Sequence, residues 1–522
     1  MKKKLTQHLE QLLSIGIALS YESDIAKLLD NIVSGAKSIA NADGGTLYFL
    51  NGESIEMQII HSTSLAIFRN KVSGQAIGMP SISLYLPDGS PNLTNVASYV
   101  YHKNHTINIR DAYDDSQFDF SGTKIFDRLN CYRSQSFLAV PMRNHEGDTI
   151  GILQLINAQH PETNRIIEFD VLAQRFTEAL ASLAAIVLTK QQLIFDLERM
   201  FETLIKLMAT AIDETSPYTG AHCRRLPELT LMIAEAAHNT NEGYLKDFVM
   251  DDKDRYELTI AGWLHDCGKI STPIHVIDKA TKLESIYDRI DLIKTRFEVV
   301  KRDAEIAMLR SVMEHPEQRI QIEMEFQGLL DQLEDDQLFL EKANKGGESM
   351  TVEDLQRILK ISQIPVRLGK HLKNLLTEDE VYNLNITRGT LTDEERSVVK
   401  RHITTTIAML EKIPFPKHLK NVPEYAAGHH ERVDGKGYPK QLTRDQMSIQ
   451  SRCMAIADIF EALTAKDRPY KEPKTLSEAL YLLEKMRDDG HIDGDIYKAF
   501  VNHKVYLKYA QQHLDSSQID IE

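Results

Sequence analysis

Cysteine is scarce, with 4 residues in a chain of 522. They stand far apart, which excludes a disulfide framework or a zinc knuckle, and Cys223 and Cys267 read as small buried hydrophobes. Basic residues are also short, 61 against 76 acidic, for a net charge of −15. That balance argues against general binding to nucleic acid or to an anionic membrane surface, although a compact anionic ligand needs only a local basic site. Long apolar runs are missing too. No uninterrupted stretch reaches the roughly 18 residues of a membrane span, and the basic start MKKK is followed by Gln7, Glu10 and Gln11, which break the apolar core of a secretory signal. The length implies two or more domains, each able to bury its own core.

What the chain does have is concentrated in HHERVDGKGYP, from His429 to Pro439. An isolated pair of histidines is as often a satisfied core or surface pair as a site. This pair is followed by Glu431 and Asp434 and by a turn rich in glycine (Gly435, Gly437) ending in Tyr438 and Pro439. Four further segments place polar residues in helical patterns: TGAHCRR with His222, AGWLHDCGK with His265, Asp266 and Lys269, KRHITTT with His402, and AIADIFEAL with Asp458. A carboxylate inside an apolar helix needs a partner if it is buried. All are nitrogen or oxygen ligand types, so together they favour a metal site.

Imidazole and carboxylate without thiolate suit iron, manganese or a similar divalent ion, not a closed structural zinc site. Seven candidate ligands (His222, His265, Asp266, His402, His429, His430, Asp458) exceed the needs of one ion. Two ions sharing a ligand would activate a bound water.

At these positions the sequence resembles the HD-GYP family, a subgroup of the HD-domain metal-dependent phosphohydrolases, in the family's motif order. The resemblance covers about residues 200 to 510 apart from one insertion. It implies an all-α catalytic domain over 215–515, the seven ligands named above, and phosphate binding by Arg468 and Lys471 of DRPYK. It implies Asp266 and the activated water as the bridge between two ions and a phosphodiester as the target of in-line attack, with Lys269 placed to bind a non-bridging oxygen or to assist the leaving group. It also places the loop of Gly437 and Tyr438 beside the substrate. The implied reaction is hydrolysis of 3′,5′-cyclic di-GMP to pGpG, and often onward to GMP. Some members cleave 3′3′-cyclic GMP-AMP, and the residues leave both substrates open. A bacterial cytoplasmic location follows from the same resemblance.

The chain departs from that family twice. Members with a third metal carry a Glu four residues before the first ligand histidine, where this chain has Tyr218, with Glu214 one turn earlier. Two ions are therefore expected. Residues 281–388 form an insertion before the helix start at Thr392–Glu395, with apolar spacing at Ile290, Ile293, Phe297 and Val300 and at Phe326, Leu329, Leu330 and Leu333 that predicts amphipathic helices. Packing alone, a cover over the site, a contact to the sensor domain or an enlarged dimer interface are all open roles.

Residues 22–188 have a different texture, following an N-terminal helix over 1–21. A helix around Ile25–Val33, strands at Thr46–Leu50 and Glu56–His61, and a hairpin of Ser136–Met142 and Thr149–Asn157 about Asn144–Asp148 predict an α+β domain, an antiparallel sheet with flanking helices. ADGGTLYFL and AVPMRNHEGDTIGILQLINA resemble GAF domains. Cyclic-nucleotide-binding members carry Asn-Lys, Phe and an acidic pair, whereas this chain has Asn157 and Phe169 but Ala158, Ala173 and Gln174 in the remaining places. The ligand is therefore open, and His102, His105 and Cys131 read as ordinary loop residues. A long helix over 189–214 would join the domains. Its heptad rows Ile186, Leu193, Met200, Leu207 and Leu197, Leu204, Ala211, the latter broken by Lys190, predict either a homodimeric coiled coil or a plain core helix. Functional alternatives are a non-catalytic cyclic dinucleotide-binding module and an HD enzyme acting on mononucleotides.

Overall fold

Alternating apolar and polar residues after the first two helices build a sheet. The computed structural model describes residues 2–22, 24–215, 222–347, 349–466 and 473–521, so the expectations for Tyr218, Arg468 and Lys471 lie outside the described residues. The chain divides into two compact units, Met1–Arg199 and Met200–Glu522.

In the first unit α1 (Lys2–Tyr21) and α2 (Ile25–Ala40) precede β1 (Ala42–Asn51), β2 (Ser54–Ser62), β3 (Ile67–Asn70) and β4 (Ile82–Ser83). Then come α3 (Val96–Lys103), β5 (Ile107–Ile109), α4 (Ser121–Asn130), β6 (Phe137–Arg143), β7 (Thr149–Gln159), β8 (Ile166–Ile167) and α5 (Val171–Thr215). Sheet order is β3-β2-β1-β7-β6-β5, with β4 on β2 and β8 on β7. The predicted hairpin forms with Phe137 opposite Ile156 and Val140 opposite Leu153. Its turn is fixed by the Asn144 side chain, which accepts the Glu146 and Asp148 amides, and by Gly147 at φ +90°.

Because strand side chains alternate, the sheet has two cores. Leu47, Val140, Leu153 and Leu155 pack with Leu29, Ile32 and Val33 of α2 and Leu180 and Ala184 of α5. Tyr48, Phe137 and Ile152 pack on the other face with Val96 and Val100 of α3 and with Phe118 and Phe120. Asn157, the one matching position of the nucleotide-binding pair, is occupied structurally. It accepts the Gln135 amide and donates to the Tyr132 hydroxyl and the Arg133 carbonyl. Phe169 belongs to the α2/α5 core. His102 is held by the Leu84 carbonyl at 2.7 Å.

No break separates the first domain's last helix from the expected connecting helix, since α5 runs without interruption for 45 residues. Over Val171–Ile212 it is long and apolar enough to cross a membrane by length and composition, but 39% of its most apolar window is buried inside the protein, as in core helices. Its heptad rows are largely uncovered: Ile186, Leu193, Leu197, Met200, Leu204 and Leu207 are all more than half exposed.

Among its described residues the second unit is helical apart from one short hairpin. Helices His222–His238, Asp252–Leu264, Asp393–Leu410, Val422–Ala427 and Ile449–Thr464 surround a core that includes Leu226, Ile233, Leu258, Ala261, Ile456 and Phe460. The insertion contains more than the two amphipathic helices expected. Helices Ile290–Glu314 and Arg319–Asn344 are followed by Val352–Ser362, the hairpin Pro365–Leu368/His371–Asn374 and Glu378–Leu384. It has its own core of Ile293, Phe297, Leu333, Leu340, Ile358 and Ile361. Of the second predicted stripe only Leu333 is buried, and Leu329 is exposed. Buried Lys279 ties the insertion's entry to its exit, its Nζ donating to Glu395 at 2.8 Å and to Asn383 at 3.0 Å.

The carboxyl-terminal part rests on Asp493. Its side chain caps helix Gly494–Asn502 by accepting the Asp495 and Ile496 amides, and it pairs with Arg444 at 2.7 Å and with Arg452. Burial opposes its ionisation, but the two arginines and the amides hold its carboxyl below the usual range. A carboxyl with a lowered folded-state pKa stabilises fully above its unfolded value of about 3.9 and loses that contribution as pH falls through the folded value. Asp493→Ala is expected to cost roughly 3–5 kcal/mol, the price of breaking a buried ion pair. Urea unfolding followed by circular dichroism at neutral pH checks this, and the gap to wild type should narrow below about pH 4.

Candidate metal centre

Each proposed ligand sits where a helix starts, ends or turns inward. His222 is the first residue of its helix, and His265 follows the last turn of helix Asp252–Leu264, leading through Asp266 into the short helical turn Cys267–Ser271. His402 lies within helix Asp393–Leu410, the His429–His430 pair follows helix Val422–Ala427, and Asp458 projects from helix Ile449–Thr464. The turn at Cys267–Ser271 can approach His402 only because residue 268 is glycine. A Cβ there would stand 2.0 Å from the His402 carbonyl oxygen.

These side chains converge. His222, His265 and Asp266 form one group able to hold a metal ion, and His402, His429 and His430 form a second, with the ligand atoms of each group within 4.8 Å of one another. Asp266 lies between them. Its Oδ2 is 3.0 Å from His265 Nε2 and 3.6 Å from His222 Nε2, while its Oδ1 is 3.2 Å from His402 Nε2 and 4.0 Å from His429 Nε2. Asp458 Oδ1 stands 3.3 Å from His222 Nε2.

The histidines are oriented from behind. Nδ1 of His265, His402 and His429 meets the carbonyls of Gly262, Val399 and Ala426 at 2.8, 2.5 and 2.6 Å. Donation from Nδ1 to a carbonyl would leave the Nε2 lone pair of each ring to a bound metal, the usual support for a metal-bound imidazole. Asp266 Oδ1, His402 Nε2 and His429 Nε2 are buried without a hydrogen-bond partner. Three such orphaned acceptors facing each other are costly unless a cation joins them, so the donor set fits a divalent metal. Burial drives the His429 pKa well below its ordinary value and that of His430 down to about 4, keeping both imidazoles neutral. For Asp266, burial alone would favour the acid, but His265 and Lys269 hold it ionised. Lys269 Nζ is 2.5 Å from Asp266 Oδ2.

Glu461 and Arg225 have no place in the sequence reading. Glu461 accepts from His222 Nδ1 at 2.5 Å and from Arg225 at 2.8 and 2.6 Å. Burial would lower the His222 pKa, yet Glu461 and Asp458 outweigh it and push it up to about 10, while the Glu461 carboxyl falls to about 2. The signal was in AIADIFEAL, where Glu461 follows Asp458 by three residues and so shares its helical face.

The loop residues divide by role. Buried Glu431 accepts the amides of Lys440 and Leu442 and thereby folds the GYP loop, and Asp434 is held by Arg432 and the Lys436 amide. Gly435 adopts φ +76°. Gly437 packs against its own loop, where a Cβ would come within 2.5 Å of Glu431 Cα. Tyr438, next to Pro439, stacks on His430 at 4.9 Å, with Lys400 over its ring. One ring face therefore supports a candidate ligand histidine.

Comparison with known proteins supports this division. The GAF domain model matches residues 24–188, and the HD domain model matches residues 357–496. The latter span holds His402, His429, His430 and Asp458 and starts after His222, His265 and Asp266. A cyclic di-GMP phosphodiesterase of Pseudomonas aeruginosa is 34% identical over 134 residues, 26% of this chain and 31% of that protein. The 3′3′-cGAMP-specific phosphodiesterase 1 of Vibrio cholerae is 31% identical over 148 residues, 28% of this chain and 32% of that protein. A cyclic di-GMP phosphodiesterase of Thermotoga maritima is 40% identical over 98 residues, 19% of this chain and 26% of that protein. The chain thus spans about a third or less of the length of these relatives. It joins a GAF domain to an HD domain, and the second carries the sequence motifs of the HD-GYP group.

Proposed function

We propose that the chain is a metal-dependent phosphodiesterase that hydrolyses a cyclic dinucleotide, with 3′,5′-cyclic di-GMP, cleaved to pGpG, as the leading substrate. The observation that carries this reading is Asp266, whose two oxygens divide between two groups of inward-facing imidazoles. His222, His265, Asp266 and Asp458 would hold one divalent ion, and His402, His429 and His430 with Asp266 a second, iron or manganese by donor type. A third ion is disfavoured by Tyr218. Two bound ions would supply Lewis acidity and bring a water's pKa toward neutrality.

The protein's own groups do the rest. The Gly262, Val399 and Ala426 carbonyls keep three imidazoles aimed, so no reorganisation is needed when charge develops. Burial weakens the Lys269 cation, but Asp266 outweighs it and raises its pKa, leaving an ammonium to hold a phosphate oxygen. Arg468 and Lys471 of DRPYK would neutralise the remaining phosphate. We read the exposed heptad rows of α5 as the seam of a homodimer, which would let the GAF domain regulate the catalytic pair.

A 3′3′-cyclic GMP-AMP phosphodiesterase is the second reading, favoured by the Vibrio cholerae relative of that name. Purified full-length protein loaded with manganese or ferrous iron is to be given each dinucleotide in parallel, with products separated by chromatography. Faster formation of linear pGpG supports the leading assignment, and faster cleavage of the mixed dinucleotide supports the second. Tight binding without product from either would replace the enzyme by a receptor.

A further inference from the structure

The GAF domain has a half-open cavity of about 410 Å³ on the sheet face opposite α2, between the strands and α4. Its floor is Thr46, Tyr48, Phe137 and Gln154, and its wall is the apolar side of α4, with Ile125, Phe126 and Leu129. That helix is set in an unusual way. Its one buried residue is Asp127, which accepts from the Tyr113 hydroxyl at 2.9 Å and from the Ser134 amide and hydroxyl at 2.8 Å. Ile125 and Leu129 meanwhile remain 51% and 79% exposed. A helix pinned by its carboxylate, with its apolar face turned to a void, gains nothing from that face until something apolar fills the space.

Several polar groups around the cavity are already engaged with the protein, and the Thr46 and Thr123 hydroxyls line it beside them. Tyr132 donates to Asp43 at 2.6 Å, Ser62 to Asp43 at 3.2 Å and Ser134 to Asp127, while His61 pairs with Asp30 and Tyr48 bonds Gln154. No lysine or arginine lies among the described lining residues. At the first turn of α4, which could attract an anion, the Asp119 carboxylate already accepts the Ser121 amide and places its own negative charge there. A phosphorylated ligand would enter without a counter-charge, at a high desolvation cost. Asn157 and Phe169, the two residues shared with cyclic-nucleotide-binding GAF domains, are committed to a loop and to the opposite core.

We propose that this cavity binds an uncharged, mainly apolar small molecule and rejects phosphorylated nucleotides, because an unfilled apolar helix face meets a mainly apolar lining with no lysine or arginine among its described residues. The reading stands whichever dinucleotide the HD domain acts on. The test is calorimetric titration of the full chain with indole and with cyclohexanol as probes, and with cyclic AMP and cyclic GMP. Saturable binding of at least one apolar probe is expected, with both cyclic nucleotides at least about a hundredfold weaker, a difference of about 2.7 kcal/mol. Ile125→Arg and Leu129→Arg place a cation at the rim on exposed positions, so the melting temperature should not change while probe affinity falls about tenfold or more. Binding of neither probe, binding of a cyclic nucleotide as tight as the probe, or probe binding indifferent to both substitutions would overturn the proposal.

Discussion

Asp266→Ala should abolish turnover of either cyclic dinucleotide and leave the purified protein with much less bound metal. The expected loss exceeds the roughly 10- to 100-fold cost of removing a supporting residue around a metal, because Asp266 faces both groups of imidazoles at once. Its Oδ1 lies 3.2 Å from His402 Nε2 and its Oδ2 lies 3.0 Å from His265 Nε2. Removing the carboxylate takes the negative charge from between rings that are otherwise neutral or cationic, and it frees the Lys269 ammonium from its partner at 2.5 Å. His265→Ala should have the same direction of effect while leaving that ion pair in place. Elemental analysis of protein purified from metal-supplemented cultures, together with product chromatography, measures both effects. Wild-type turnover in either variant would remove the basis for assigning these residues to the chemistry.

How much of this was legible in the sequence depended on whether function or packing left the signal. The proposed metal ligands were legible because histidines and carboxylates interrupt apolar helices, where they are otherwise expensive. The hairpin about Asn144–Asp148 was legible because its turn chemistry and its alternation agree. The insertion was only half legible. Ile293 and Phe297 follow a helical period and are buried, whereas Leu329 follows one and remains exposed, because periodicity gives the face of a helix but not whether another element covers it. The short hairpin at residues 365–374 left little trace, since all of His371–Asn374 is exposed and shows no in-and-out alternation. The apolar cavity was not legible at all. It arises from the rotation of α4 about Asp127, and that rotation is fixed by Tyr113 and Ser134, residues with no shared pattern.

Glu461 marks the same boundary inside the metal centre, and its replacement carries the second large expected effect. The sequence reading took Asp458 as the one functional carboxylate of helix Ile449–Thr464, yet Glu461, three residues on, is buried to 1% exposure and faces inward with it. A carboxylate behind a ligand imidazole fixes its tautomer and raises its basicity, and losing such a partner costs about 10- to 100-fold in metal affinity or activity. Glu461→Gln keeps an acceptor for His222 Nδ1 but loses the carboxylate charge behind the ring. It should therefore weaken metal binding by about 10-fold or more with little change in fold. Glu461→Ala should add a stability loss of roughly 3–5 kcal/mol, because the Arg225 guanidinium also loses its carboxylate in a buried setting. Metal titrations on both variants, set beside urea unfolding, separate the two contributions. A purely structural Glu461 would lower stability in both while leaving the metal affinity of the folded protein unchanged.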